Sequence, residues 1–396
     1  MYKRQCYVVD ISGDICQNVA VPNKIIFNPD DMNGALYNIF FPVDMFENDA
    51  DKNEALEQLA FQLMPLETNM TDTSVFFLTE GRKILTAAMI TYYHQGMDFP
   101  QICKRIISSS WSTLFSEIDQ NGNYEAKQYI NSFEGTNEKN IAGCKQACDS
   151  ALKLFATNSH VYNAIGRERE GKEAFTPEQL ENKNIFVVIQ DSKLELYEPL
   201  VHIITAQCME YFSNRDNNNQ HTILMCLDEF ASFGHLEITP ALRKLRKKHV
   251  RIMVLTQSLA DIDLIYGRDE RMAMLNNFAY KIVLGCSDSD TQEYFSRLIG
   301  EKEVYRKAVS KNGKQVTNTR TEAKERIVPP AELARLGRHM ILLAEGKYYK
   351  LTKNYYFELD LWDRVKKCIN NLSRIQEEDF LSLIHISEPT RLGMIS

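Results

Sequence analysis

Residues 223–229 of this 396-residue chain read Ile-Leu-Met-Cys-Leu-Asp-Glu, five apolar residues running straight into two acids. A continuous apolar run of this length is the mark of a strand buried on both faces of a parallel sheet. Open α/β sheets bind ligands outside the carboxyl ends of their strands, so the run delivers Asp228 and Glu229 to the place where chemistry is done. There the first acid, Asp228, can hold Mg²⁺ through water. The second, Glu229, can orient and deprotonate an attacking water. This is the chemistry of metal-assisted hydrolysis, but an apolar strand followed by Asp-Glu also arises by chance.

A second signal follows. Ile252 to Leu255 is another apolar run, and it ends in Thr256-Gln257-Ser258. The Gln257 amide both donates and accepts, which suits it to sensing a phosphate and positioning water; taken alone it is equally a strand-end amide bonded to backbone. Between the two runs lies Arg243-Lys244-Leu245-Arg246-Lys247-Lys248. A basic cluster of this kind is first of all a solvated helix face. It also offers an arginine, whose planar fork matches phosphate oxygens better than a lysine does.

The elements that must position these residues alternate. Ile185 to Ile189, Ile223 to Leu227, Ile252 to Leu255, Lys281 to Leu284 and Met340 to Leu343 read as strands. Helices are expected from about Pro199 to Phe212 and around Thr239 to Lys248. Such alternation implies a parallel, helix-covered sheet. Tyr7-Val8-Val9-Asp10 and Ile25-Ile26-Phe27, each followed by a polar turn, read as two strands at the edge of that sheet. From about Val75 to Phe175 the apolar residues instead recur at helical spacing, as in Ile84, Ala87, Ala88, Ile90 and Tyr92, which predicts an all-helical insert. Arg306 to Arg326 is polar and poorly patterned, a loop or a hairpin.

Composition narrows the functional class. Asp and Glu total 53 against 46 Lys and Arg, a net charge of −7, which speaks against a broad nucleic-acid-coating face and leaves a local groove or pore. Nine cysteines without disulfide spacing fit a reducing compartment. Cys144 and Cys148 stand at i, i+4 with no second pair at zinc-finger spacing, and read as helix residues. No apolar run reaches the ~18 residues needed to span a bilayer.

The chain resembles the TraG/TraD-type coupling proteins of type IV secretion. The resemblance rests on Leu227-Asp228-Glu229-Phe230-Ala231-Ser232-Phe233-Gly234 and on Thr256-Gln257-Ser258-Leu259-Ala260-Asp261-Ile262 ending in Tyr266-Gly267. It continues through Leu275-Asn276-Asn277 and Asp290-Thr291-Gln292-Glu293-Tyr294-Phe295-Ser296 to Gly300. Val8-Val9-Asp10 and Phe27-Asn28-Pro29 also fit. The resemblance implies a RecA-like P-loop NTPase fold, α/β with a mostly parallel sheet, interrupted by an all-α insert domain. The implied segments are a first nucleotide-binding part at 6–65, the all-α domain at 66–180 and a second nucleotide-binding part at 181–370. It implies ATP and Mg²⁺ as cofactors, with Asp228, Glu229 and Gln257 at the site and Arg246, eleven residues before Gln257, as a finger reaching a neighbouring subunit; Arg243 stands second for that role. It further implies a membrane-anchored homo-hexamer on the cytoplasmic face of the cell membrane. Its partners would be single-stranded DNA, relaxase and relaxosome proteins, and components of the secretion channel. Two alternatives are a double-stranded DNA translocase of the FtsK/HerA kind and a non-catalytic module that docks substrate through its helical domain.

One departure stands out. No Gly-x-x-x-x-Gly-Lys-Ser/Thr occurs. The nearest string, Gly166 to Glu173, ends in Glu where a hydroxyl must ligate Mg²⁺, and its interior acids would repel phosphate. The ends of the chain suggest why. Tyr2-Lys3-Arg4-Gln5 can be encoded TAT AAG AGA CAG, whose reverse complement encodes Leu381-Ser382-Leu383-Ile384. Inverted matching ends of this kind are expected of sequencing adapters. Residues 1–5 and 381–396 are therefore expected to be adapter-derived, with the phosphate loop and the membrane anchor lying upstream, and the fragment alone is expected not to hydrolyse ATP.

Overall fold

Strand β1 (Arg4–Asp10) carries Tyr7, Val8 and Val9, all buried, and takes the centre of a five-stranded sheet. The computed structural model describes residues 4–66, 70–168, 171–216, 218, 221–312 and 315–355, and of Arg4 and residues 307–321 the backbone only. The chain divides into two compact units, residues 1–255 with 265–267, and residues 256–264 with 268–396.

In the first unit, β1 is followed by a short helix α1 (Asp14–Asn18) and by β2 (Lys24–Phe27). Then come β3 (Leu36–Tyr37), α2 (Phe41–Asp44), α3 (Asp49–Leu63), α4 (Asp72–His94), α5 (Phe99–Ser108), α6 (Trp111–Asn121), α7 (Tyr124–Asn131), α8 (Glu138–Thr157) and α9 (Ser159–Ala164). The helical run predicted from Val75 is thus present. It opens on side-chain caps at Asn48, Thr71, Asp98, Ser110, Asn123 and Asn137, each satisfying an amide at the start of its helix. Cys144 and Cys148 lie buried on α8, which packs on α4 and α5. The chain leaves the run through β4 (Ala174–Phe175), paired parallel with β3.

Strand β5 (Asn184–Val188), helix α10 (Leu194–Ser213), β6 (Thr222–Leu227), α11 (Ile238–Leu245) and β7 (Val250–Val254) complete the first sheet. Its order is β2-β5-β1-β6-β7, and every pairing is parallel. The expectation that β1 and β2 together form an edge is corrected for β1. Its Tyr-Val-Val run is fully buried, so it sits between β5 and β6, and only β2 lies outermost. Helix α10 begins a turn earlier than expected and carries Pro199 inside it. Its buried polar residues are satisfied: Thr205 pairs with the Tyr7 hydroxyl at 2.8 Å, and Gln207 donates to the Ile39 carbonyl at 3.0 Å.

The helical run is tied at its two ends by one carboxylate. Asp44, just before α3, accepts two hydrogen bonds from the Arg167 guanidinium at 2.7 and 3.0 Å, one from the Tyr93 hydroxyl at 2.7 Å and one from Asn38 at 3.0 Å.

In the second unit lie α12 (Leu259–Asn277, broken at Gly267, its residues 265–267 belonging to the first unit), β8 (Tyr280–Val283), α13 (Ser289–Ile299), β9 (Glu301–Asn312), β10 (Gln315–Arg326), α14 (Pro330–Leu333), β11 (His339–Ala344) and β12 (Lys347–Thr352). The expectation that the strands near 281 and 340 join the parallel sheet is corrected. β8, β11 and β12 form their own antiparallel sheet in the order β12-β11-β8. Glu345 and Gly346 both take positive φ, 51° and 71°, the two-residue turn that folds β12 back on β11. The polar stretch 306–326 is a hairpin of β9 and β10. Residues 1–3 and 381–396, assigned to adapters, lie outside the described residues; Arg4 and Gln5 pair with Thr222 and Ile223 of β6.

Candidate nucleotide-hydrolysis site

Strand β6 buries Ile223, Met225, Cys226 and Leu227 and ends at the carboxyl edge of the parallel sheet, where Asp228 and Glu229 follow. The two acids are half-buried. The Asp228 amide donates to the Val9 carbonyl at 3.4 Å, which sets it beside the end of β1. Burial, the neighbouring Glu229 and then Asp10 push the Asp228 carboxyl above the ordinary aspartate range.

Glu229 has φ 52° and ψ 48°, the left-handed region. For a residue with a Cβ this costs ~1–2 kcal/mol. Strain of this kind gathers at functional sites and persists only where the surroundings enforce it. Here they do. The Phe230 amide donates to Leu255 O at 2.9 Å, and the Phe230 ring stacks on Tyr266 at 5.4 Å. The Tyr266 hydroxyl accepts from the Leu236 amide at 3.1 Å and donates to the Gly234 carbonyl at 3.3 Å. His202 of α10 contacts the Phe233 carbonyl through Nδ1 at 3.2 Å, and burial holds that imidazole's pKa below its usual value. Gly234 itself takes φ 67°, a backbone conformation that residues with a Cβ rarely adopt, so a side chain there would be strained.

Asp10 is the third carboxylate of this edge, and its role was not legible from the sequence. It is fully buried, and its oxygens accept the Gly13 amide at 2.9 Å and the Cys16 amide at 2.6 Å. It therefore anchors α1 and contributes charge to the site. Tyr266 and His202 were likewise not assigned roles; the signal for Tyr266 was its place in the 256–267 block, and for His202 there was none beyond its type.

Arg246 is not brought to the acids. It begins a one-turn 3₁₀ extension of α11 that leads into β7, and Val250 pairs with Ile223 at the opposite end of β6. The five residues of β7 separate the two edges by about 17 Å at ~3.3 Å per residue. Arg243, Lys244, Arg246 and Lys247 are exposed, while Leu242 and Leu245 are buried beneath them. Within one chain this is a solvated face; its reach is outward. Gln257 lies two residues beyond Leu255, at the start of the second unit. There Ser258 caps α12 through Asp261, and the Leu259 amide donates to Thr291 Oγ1 at 2.9 Å.

The hard oxygen donors Asp228 and Glu229, one carrying a raised pKa that a cation would lower, suit Mg²⁺. Nothing in the sequence supplies a phosphate-cradling glycine loop.

A parallel sheet that places an acid pair at the carboxyl end of a buried strand, followed by a braced turn, is the arrangement expected of a RecA-like α/β fold. The comparison with solved structures bears this out. The bacterial conjugative coupling protein TrwBdeltaN70, in its unbound monoclinic form, superposes with a TM-score of 0.71 at 21% identity over 88% of this chain and 78% of that one. The plasmid coupling protein TrwB in complex with ADP and Mg²⁺ superposes with a TM-score of 0.69 at 20% identity over the same shares, 88% and 78%. The chain belongs to the type IV secretory system conjugative DNA transfer family, whose model matches residues 8–380. Protein VirD4 of Agrobacterium fabrum is 23% identical over 195 residues, 48% of this chain, and Protein VirD4 of Rhizobium radiobacter is 24% identical over 195 residues. The aligned segment spans 28% of the length of these relatives. Among the described residues no helix is long and apolar enough to cross a membrane.

Proposed function

We propose that this chain is part of the motor of a conjugative coupling ATPase. In this reading the whole protein is membrane-anchored and assembles as a hexamer on the cytoplasmic face. It receives relaxase-bound DNA and drives single-stranded DNA toward the secretion channel. The nucleotide-binding part spans 6–65 and 181–370, and the helices of 66–180 form the insert that faces cargo and relaxosome.

Bound Mg²⁺ would supply charge neutralisation of the phosphates. Asp228 holds it through water, and Glu229 orients the attacking water and accepts its proton. Gln257 contributes an amide that senses phosphate. Arg246, remote from its own acids and exposed, serves a neighbour's nucleotide; a finger of this kind contributes about 10³ to 10⁵ in rate.

The observation that carries the reading is the strained, braced Glu229 beside a charge-raised Asp228 at the carboxyl edge of a parallel sheet, in a chain of this family. The test compares steady-state ATP turnover by purified residues 6–380 with that of the gene product extended upstream. No turnover by the first and DNA-stimulated turnover by the second is expected. Robust turnover by residues 6–380, or none by either, would contradict the reading.

A further inference from the structure

Helix α12 lies mostly in the second unit, yet residues 265–267 belong to the first. Of these three only Tyr266 is buried, at 2% exposure, while Leu264 two residues before it is 79% exposed. What the return brings to the first unit is one buried aromatic side chain. The return ends at Gly267, whose φ of 72° and ψ of 164° fall in a region open essentially to glycine alone.

Tyr266 meets the turn after Glu229 at both of its ends. At the near end its ring stacks on Phe230, the residue next to Glu229, with 14° between the planes. At the far end its hydroxyl accepts from the Leu236 amide and donates to the Gly234 carbonyl, and the His235 ring lies 4.8 Å from its own. The turn is irregular backbone, and Phe230, Phe233 and Leu236 within it are buried. A buried amide with no strand or helix partner must be paired some other way, and for Leu236 the Tyr266 hydroxyl does this. Glu229, meanwhile, is tied on its own side through the Ser232 amide, which donates to its carbonyl at 2.8 Å. A left-handed backbone at a residue with a Cβ relaxes unless its surroundings over-determine it.

We propose that Tyr266 is the positioning residue for Glu229: ring and hydroxyl together keep the 230–236 turn closed, and so keep Glu229 in its left-handed backbone with its carboxylate at one place on the sheet edge. Tyr266 acts through Glu229 and not on nucleotide or water itself. The hold on the backbone stands on the geometry; its consequence for turnover rests on the ATPase reading.

The experiment has two arms, both built on Tyr266→Phe, which keeps the ring and removes the hydroxyl. In the first, urea unfolding of the full chain compares Glu229→Gly with Glu229→Gln, once in the parent and once in Tyr266→Phe. In the parent, release of the strain should favour glycine by about fivefold in the folded-to-unfolded ratio. With the hydroxyl gone the turn can open and Glu229 can relax, so the preference should fall below about twofold, the signature of coupled sites. No preference in the parent, or the same preference in both backgrounds, would overturn the proposal. The second arm measures steady-state ATP turnover by the longer protein. There Tyr266→Phe should lower kcat by about 10- to 100-fold with KM within about twofold of the parent. In a Glu229→Gln background it should cost less than about twofold further, because residues that act as a unit are not additive. A parent-like kcat, a loss confined to KM, or equal losses in both backgrounds would overturn the proposal. If the unmutated longer protein shows no turnover, the ATPase reading falls, and the urea arm still decides whether Tyr266 holds Glu229.

Discussion

Replacing Glu229 with glycine should stabilise the protein while removing the residue proposed to activate water. Glu229 sits at φ 52°, ψ 48°. A left-handed residue with a Cβ costs ~1–2 kcal/mol, and glycine returns roughly 0.5–1 kcal/mol of that through its greater chain entropy when unfolded. The net gain is about 1 kcal/mol. In the first unit, residues 1–255 with 265–267, that corresponds to roughly 2 °C in melting temperature. Removing the charge beside Asp228 adds a second gain, so Glu229→Gln, which keeps the strain and loses the charge, is the reference. Urea unfolding followed by far-ultraviolet circular dichroism gives both midpoints, with equal slopes required for the comparison. Glu229→Gly should exceed Glu229→Gln by about 1 kcal/mol. If glycine is equal to or below glutamine, the strain is not there and the braced-turn reasoning fails.

The remaining stability predictions concern charge. Asp228 has a raised folded pKa, so the native state holds its proton more tightly than the unfolded chain; stability is highest where it is protonated and declines as pH rises through its folded value. Asp228→Asn should therefore melt higher than the parent at pH 7, the difference should shrink toward pH 4, and millimolar Mg²⁺ should raise the parent's melting temperature but not the variant's. Asp44 behaves in the opposite sense: burial pushes its pKa up, but hydrogen bonds from Arg167, Asn38 and Tyr93 outweigh that and hold it below the usual range. Its contribution is present above the unfolded value and is lost as pH falls through the folded one. Asp44→Asn should cost roughly 1.5–3 kcal/mol at pH 7, measured by urea unfolding, with the gap to the parent closing in strong acid.

The parts of the fold that were legible from the sequence are those set by local pattern. Apolar runs ending at Leu227 and Leu255 marked β6 and β7, and the helical spacing from Ile84 onward marked the insert. Strand placement was less legible, because it depends on partners distant in the chain. Tyr7-Val8-Val9 reads the same whether central or at an edge, and only burial against Phe186 and Cys226 settles it. The run at Met340 looks like a parallel strand, but it pairs antiparallel with both β8 and β12. At the site, residue types pointed to Asp228 and Glu229. The left-handed backbone at Glu229, the Tyr266 hydroxyl bridging Leu236 and Gly234, and the consumption of Asp10 by backbone amides are three-dimensional facts without a one-dimensional trace.

Glu229 is proposed to act on water at a bound nucleotide. The most direct measurement is DNA-stimulated ATP hydrolysis by the longer protein, parent against Glu229→Gln, with ATP binding measured in parallel. Loss of a general base predicts a fall of about 10²–10⁴ in turnover with binding retained. Turnover within a few fold of the parent would contradict the claim.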